Sequence, residues 1–126
     1  MYSLGPRSKQ RLKGVHPDLV RVVERAIEIS VVDFTVLEGL RTPQRQKLLM
    51  ESGASQTLNS RHITGHAVDL GAWIDDEVRW DWPLYHKIAA AMKTAAKELE
   101  TKIVCGADWK RFPDGPHFEL DRKDYP

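Results

Sequence analysis

The feature that most constrains the fold is a hydrophobic period that switches between helical and extended spacing, in no repeating order. Leu19, Val22, Val23, Ala26 and Ile27 recur on one helical face and predict a helix over 17–30. Pro17 suits its first turn, where a missing N–H leaves no bond unmade. Residues 31–37 are rich in β-branched side chains and predict a strand. Thr42-Pro43 reads as the cap and first position of a second helix reaching about Met50. Residues 51–64 are polar and without period, so a loop is expected. A strand follows over 66–74, with Ala67 and Asp69 on one face and His66, Val68 and Leu70 on the other. Asp75-Asp76-Glu77 predicts a turn. Residues 83–99 predict a long helix with Leu84, Ile88, Met92, Ala95 and Leu99 on its apolar face. A strand over 101–105, a loop over 106–116, a strand over 117–120 and a polar tail complete the chain. The basic first sixteen residues are expected to be a solvated lead-in or a short helix. Helices and strands mix without regular βαβ alternation, which places the chain in the α+β class. Its length suits one domain over 1–126.

Charge and cysteine usage exclude several functions. Nineteen Lys and Arg against 18 Asp and Glu leave a net charge of +1, so nucleic acid is not an expected partner. One cysteine cannot form an internal disulfide and fits a reducing compartment of synthesis. Cys105 is expected to be a buried strand thiol. No apolar run approaches the roughly 18 residues of a membrane span. The N-terminus lacks the apolar segment of an export signal.

The chemistry gathers around two of the histidine segments. One runs from Ser60 to Asp69 through His62 and His66; the other runs from Asp114 to Leu120 through His117. A catalytic zinc site takes three protein ligands and keeps one position open for water. A turn at Gly65 brings His62 back beside Asp69, and His117 supplies a third donor from another strand. The same residues also read as surface histidines and ordinary strand positions, and spacing alone leaves both readings standing.

Ser60-x-His62-x-x-Gly65-x-Ala67-x-Asp69, followed by Asp114-x-x-His117-Phe118-Glu119, resembles the zinc D-Ala-D-Ala peptidase family. That family includes vancomycin-resistance dipeptidases, bacterial carboxypeptidases and phage L-alanyl-D-glutamate endolysins, and it shares its fold with the hedgehog signalling domain. Glu38-Gly39-Leu40-Arg41-Thr42-Pro43-x-x-Gln46 and Gly106-Ala107-Asp108-Trp109 add two further landmarks in the family's order. The resemblance covers residues 38–120. It implies a small antiparallel sheet flanked by helices, with one zinc ion per chain. It makes His62, Asp69 and His117 the zinc ligands, Asp114 the general base and Arg41 the stabiliser of the developing oxyanion. Asp114 stands where some relatives carry the longer Glu.

His66 falls on a variable position of that motif. Gly65 and the extended pattern after it argue against a helical His62-x-x-x-His66 zinc pair, so His66 is not expected to be a ligand. Arg41 has a second reading as a surface partner of Glu38. Ser60 is expected to orient its loop or touch substrate. Glu119 is expected to partner His117 or contact substrate, and Asp108 and Trp109 to shape the cleft wall. Trp73, Trp80 and Trp82 read as core or rim aromatics.

The function implied is a monomeric phage endolysin that hydrolyses the L-alanyl-D-glutamate bond of peptidoglycan stem peptides. It is expected to be made in the host cytoplasm and to reach the periplasmic wall once a holin opens the membrane. Two alternatives are a D-Ala-D-Ala dipeptidase or carboxypeptidase, and a non-catalytic zinc-containing wall-binding module.

Overall fold

Helices α1 (Pro6–Arg11), α2 (Pro17–Ile29), α3 (Pro43–Glu51) and α4 (Trp82–Glu98) each carry a proline in the first turn. The missing N–H breaks no hydrogen bond there. The computed structural model describes residues 1–54 and 60–126; residues 55–59, within the expected 51–64 loop, lie outside them. The His16 ring caps α2 by accepting from the Asp18 N–H, and the Thr42 hydroxyl caps α3 by accepting from the Arg45 N–H. No helix among the described residues is long and apolar enough to cross a membrane.

Strands β1 (Phe34–Glu38), β2 (Ala67–Ile74), β3 (Glu77–Arg79), β4 (Ile103–Cys105) and β5 (His117–Leu120) form one antiparallel sheet. Its order is β1-β2-β5-β4, with β3 also paired to β2. The α+β class is as expected. Val36, Val68, Leu70, Phe118 and Leu120 are fully buried on one face. They form one core with Leu19, Val22, Val23 and Ala26 of α2 and Ile88, Met92 and Ala95 of α4. Strand alternation sends Asp69, His117 and Glu119 to the opposite face. Apolar burial therefore holds the sheet while its other face stays free for polar groups.

The structure decides one open expectation and corrects two others. Of the two readings of the N-terminal segment, the short helix holds and the solvated lead-in does not. The segment forms α1, with Leu4 and Leu12 in the core and Ser8 buried against β1. The Ser8 hydroxyl accepts from the Val36 N–H, and the Arg11 guanidinium donates to the Val36 carbonyl. Together they occupy the outer edge of β1, which would otherwise expose unpaired backbone. The 31–37 strand begins only at Phe34 because Val32 makes a tight turn on the Ser30 hydroxyl, leaving Val31 exposed. The 75–77 turn is shorter than expected. Asp75 and Asp76 both take left-handed conformations, and Glu77 already opens β3.

A register shift between Val36 and Glu38 matters for the site. Val36 pairs with Leu70 and Glu38 with Asp69, so two residues of β1 span one of β2. This bulge reverses the alternation and brings Glu38 to the face that carries Asp69.

Gly65 closes the turn between His62 and β2. Its φ is +76°, and a Cβ there would lie 2.4 Å from the Gly14 carbonyl oxygen. Gly65→Ala is expected to destabilise the protein by at least about 1–2 kcal/mol, the cost of the left-handed conformation alone. Urea unfolding would measure this; an unchanged midpoint would show that the turn relaxes freely.

Candidate metal centre

Asp69 and His117 are direct cross-strand partners on β2 and β5, so their side chains rise from the same face. His62 reaches them from the loop before β2. Its carbonyl accepts from the N–H groups of Arg41 and Gly65, and its own N–H donates to the Ser60 hydroxyl. His62 Nε2 lies 3.2 Å and His117 Nδ1 3.4 Å from the same Asp69 oxygen, Oδ1. One donor atom from each of the three residues lies within 4.8 Å of the others.

The remaining ring nitrogens are tied down. His62 Nδ1 lies 2.9 Å from the Gly39 carbonyl, which can only accept, so that nitrogen carries the proton and leaves Nε2 facing Asp69. His117 Nε2 lies 2.9 Å from Glu119 Oε1, leaving Nδ1 facing Asp69. Two oriented imidazoles and one carboxylate suit a metal at about 2.0–2.2 Å from each donor atom. His62, Asp69 and His117 can bind a metal ion.

The electrostatics follow from burial and proximity. Burial opposes ionisation of Asp69, but hydrogen bonds to His117 and His62 more than offset it, holding the carboxyl below the ordinary range. Burial disfavours a charged His117, yet Asp69 and Glu119 outweigh it and raise its pKa to about 9. Glu119 is also buried, and His117 holds its carboxyl down against that desolvation.

Asp114 lines the same cleft, on a loop held by its N–H to the Gly106 carbonyl. A Cβ on Gly106 would sit 2.3 Å from the Asp114 carbonyl oxygen, so only glycine allows this approach. Partial desolvation and the neighbouring Asp69 carboxylate raise the Asp114 pKa, while His117, His62 and Arg41 pull it down. Arg41 is 9% exposed. It pairs with Glu38 through Nε, donates to Gln46 Oε1 at 2.6 Å, and brings Nη2 to 3.6 Å from Asp69 Oδ2. The Glu38 pairing is therefore present, but inside the site rather than on the surface.

Ser60 lines the cleft beside His62. Trp109 lies with its ring 5.0 Å from that of His117. Asp108 does not line this cleft; it pairs with Lys93 of α4 at 2.8 Å, because the short helical turn Gly106–Asp108 faces α4. His66 sits apart from the three donors, bonded to Thr64 and with its ring 5.7 Å from that of His16. Trp80 and Trp82 are about half exposed; Trp80 stacks on Tyr85, and the Trp82 ring lies tilted against His86. Cys105 is buried, and desolvation pushes its thiol up to about 11.

Sequence reasoning gave no role to Arg61 or Gln46. Arg61 lies 3.8 Å from Glu119 Oε2 and donates to the carbonyls of Leu120 and Tyr125, tying the C-terminal segment behind His117. Gln46 is fully buried beneath Arg41. A glutamine four residues past the Thr42 cap was the available signal for it. Nothing periodic marks Arg61. The cleft lined by Arg41, Arg61, His62, Asp69, Asp114 and His117 has a volume of about 730 Å³.

Known proteins share both sequence and structure with this chain. The family model for phage L-alanyl-D-glutamate peptidase matches residues 1–125. The L-alanyl-D-glutamate peptidase of Escherichia phage T5 is 34% identical over 128 residues, covering 98% of this chain and 93% of that protein. The enzyme of that name from Listeria phage A118 is 33% identical over 98 residues, covering 78% of this chain and 34% of the relative. The crystal structure of Serratia marcescens L-Ala D-Glu endopeptidase ChiX superposes with a TM-score of 0.92 at 50% identity, covering 96% of this chain and 91% of that one. The vancomycin-resistance D,D-dipeptidase VanXYg, solved with a D-Ala-D-Ala phosphinate analogue, shares the fold. Its TM-score is 0.57 at 20% identity, covering 84% of this chain and 50% of that one.

The raised His117 pKa makes stability pH-dependent when no metal is bound. The pairs with Asp69 and Glu119 stabilise fully below the ordinary imidazole value of about 6.5, and that contribution is lost as pH rises through about 9. Chelator-treated protein is expected to melt at progressively lower temperature over this window, by an amount that His117→Gln removes. Identical pH dependence in both proteins would contradict the pairing.

Proposed function

The chain belongs to the phage L-alanyl-D-glutamate peptidase family, and from that premise we propose a hydrolytic mechanism built on one zinc ion held by His62, Asp69 and His117. Its substrate is the bond between L-alanine and D-glutamate in the peptide stems of peptidoglycan. The observation that carries this reading is the meeting of these three donors with Asp114 and Arg41 in one cleft. The whole chain, residues 1–126, acts as one catalytic domain, a reading supported by the single core and the near-complete family match. All three donors come from one chain, so a monomer suffices.

Zinc bound there supplies Lewis-acid chemistry, polarising a peptide carbonyl and acidifying water. The protein's own groups do the rest. Asp114 takes the proton of the attacking water and later delivers it to the leaving amine of the glutamate residue. A carboxyl with a raised pKa is better matched to both tasks than an ordinary aspartate. Arg41 places a permanent positive charge beside Asp69 and the cleft, where it stabilises the oxyanion as it forms. Glu38 and Gln46 hold its guanidinium in place. Glu119 fixes the His117 ring, and the Gly39 carbonyl fixes the His62 ring, so neither ligand reorients during turnover. Ser60 steadies the His62 loop, and Trp109 walls the cleft beside His117.

In its biological setting the protein is made in the host cytoplasm and acts on the periplasmic wall after a holin permeabilises the membrane. Kinship with phage enzymes supports this placement.

Digestion of purified peptidoglycan by the zinc-loaded protein is expected to create new D-glutamate amino ends and L-alanine carboxyl ends, identified by mass spectrometry. New D-alanine ends instead would overturn the assigned bond. Asp114→Ala is expected to keep the metal and the fold but lose about 10²–10⁴ in turnover. Near-normal lysis by that variant would remove Asp114 as the base. Arg41→Ala is expected to lower kcat by about 10²–10³. It should also lower the melting temperature, because it leaves Glu38 without its partner. A lower melting temperature with kcat intact would leave Arg41 a structural role only.

A further inference from the structure

The catalytic cleft draws all its side-chain cations, apart from the histidines, from arginine. Five of the protein's ten arginines line it, and none of its lysines does, among the described residues. Three of the five are already engaged: Arg41 with Glu38 and Asp69, Arg61 with Glu119 and two carbonyls, and Arg122 with Glu119. Arg45 and Arg111 are not. Both are exposed, and neither guanidinium has an ion pair or hydrogen bond among the described residues. Arg45 comes from the first turn of α3, four residues after Arg41. Arg111 comes from the loop that carries Asp114, three residues before it. Two free guanidinium groups thus enter the reaction cleft from two separate elements.

We propose that Arg45 and Arg111 form a subsite for the free carboxylate of the acidic residue on the leaving-amine side of the scissile bond. This inference rests on the L-alanyl-D-glutamate reading above. Glutamate has two carboxyl groups, and a peptide stem continues through one of them. The other remains as a free anion within a few bonds of the nitrogen released on cleavage. A planar guanidinium donates two parallel hydrogen bonds to a carboxylate, a match that lysine lacks. The cleft also holds the carboxylates of Glu38, Asp69, Asp114 and Glu119. Arg41, Arg61 and Arg122 pair with Glu38, Asp69 and Glu119, but Asp114 has no ion-pair partner among the described residues. An acidic group brought into the cleft beside Asp114 gains a cation of its own from Arg45 and Arg111, the lining arginines without an ion pair among the described residues. They confer specificity on the reaction without taking part in bond cleavage.

The test compares two soluble peptides that contain the L-alanyl-D-glutamate bond, one with the free carboxylate and one with that group converted to the carboxamide. With zinc-loaded protein, kcat/KM is expected to favour the free acid by about 10- to 100-fold, the range for a hydrogen bond to a charged group. Arg45→Gln and Arg111→Gln should each shrink this ratio, chiefly through KM for the acid, and the double variant should bring it near one. Arg111→Lys should fall between. Lys47→Gln, which changes an exposed cation of α3 outside the cleft, should leave the ratio unchanged. Equal cleavage of both peptides by the unaltered protein, or an undiminished ratio in the double variant, would overturn the subsite and leave the assigned bond intact. Cleavage of neither peptide would overturn both.

Discussion

A single carboxylate oxygen, Oδ1 of Asp69, faces an imidazole nitrogen from each of two chain segments 55 residues apart, His62 and His117. The rest of the site depends on that convergence. Burying an anion is unfavourable unless it is paired and hydrogen-bonded. Here the two rings supply hydrogen-bonding partners, and Arg41 brings a guanidinium to 3.6 Å from the other oxygen. A divalent ion held between His62, Asp69 and His117 would accept a lone pair from each of these donors.

The two faces of the sheet divide the work. Alternation along β2 and β5 puts Val68, Leu70, Phe118 and Leu120 into the core and Asp69, His117 and Glu119 on the reverse. Asp69 lies between buried Val68 and Leu70, and Glu119 between buried Phe118 and Leu120, so the core contacts that fix β2 and β5 also fix the polar groups they carry. Devices at the edges finish the arrangement. The β1 bulge recruits Glu38, α1 seals the β1 edge, and Gly65 and Gly106 allow backbones to approach where a side chain would collide. Behind the donors, Gly39, Glu119 and Arg61 limit how far the rings can turn.

Much of this was legible in the residues. The 3.6-residue period located α2 and α4 because each buries one continuous face. Parity along β2 separated Asp69 from Val68 and Leu70, and the resemblance in the Ser60–Asp69 and Asp114–Glu119 segments singled out the three donors. The misreadings share a physical cause, which is tertiary contact acting where local pattern is weak. The polar surface of α1 hides Ser8 and Arg11, whose partners are the backbone groups of Val36, 28 and 25 residues away. The three-residue β3 is too short to show alternation, and its turn is formed by two aspartates rather than by glycine. Asp108 was assigned to the cleft by its place in a motif, whereas Lys93 of α4 fixes where its carboxylate sits. Arg61 has no sequence signature because its partners lie on β5 and at the C-terminus.

The central claim is that one metal ion sits between His62, Asp69 and His117, with each ring nitrogen assigned. Crystals of the zinc-loaded protein, with anomalous data collected on both sides of the zinc absorption edge, test it most directly. The account predicts one zinc peak per chain, about 2.0–2.2 Å from His62 Nε2, His117 Nδ1 and an Asp69 oxygen. A peak coordinated through His66, or through His117 Nε2 with Glu119 displaced, would contradict it.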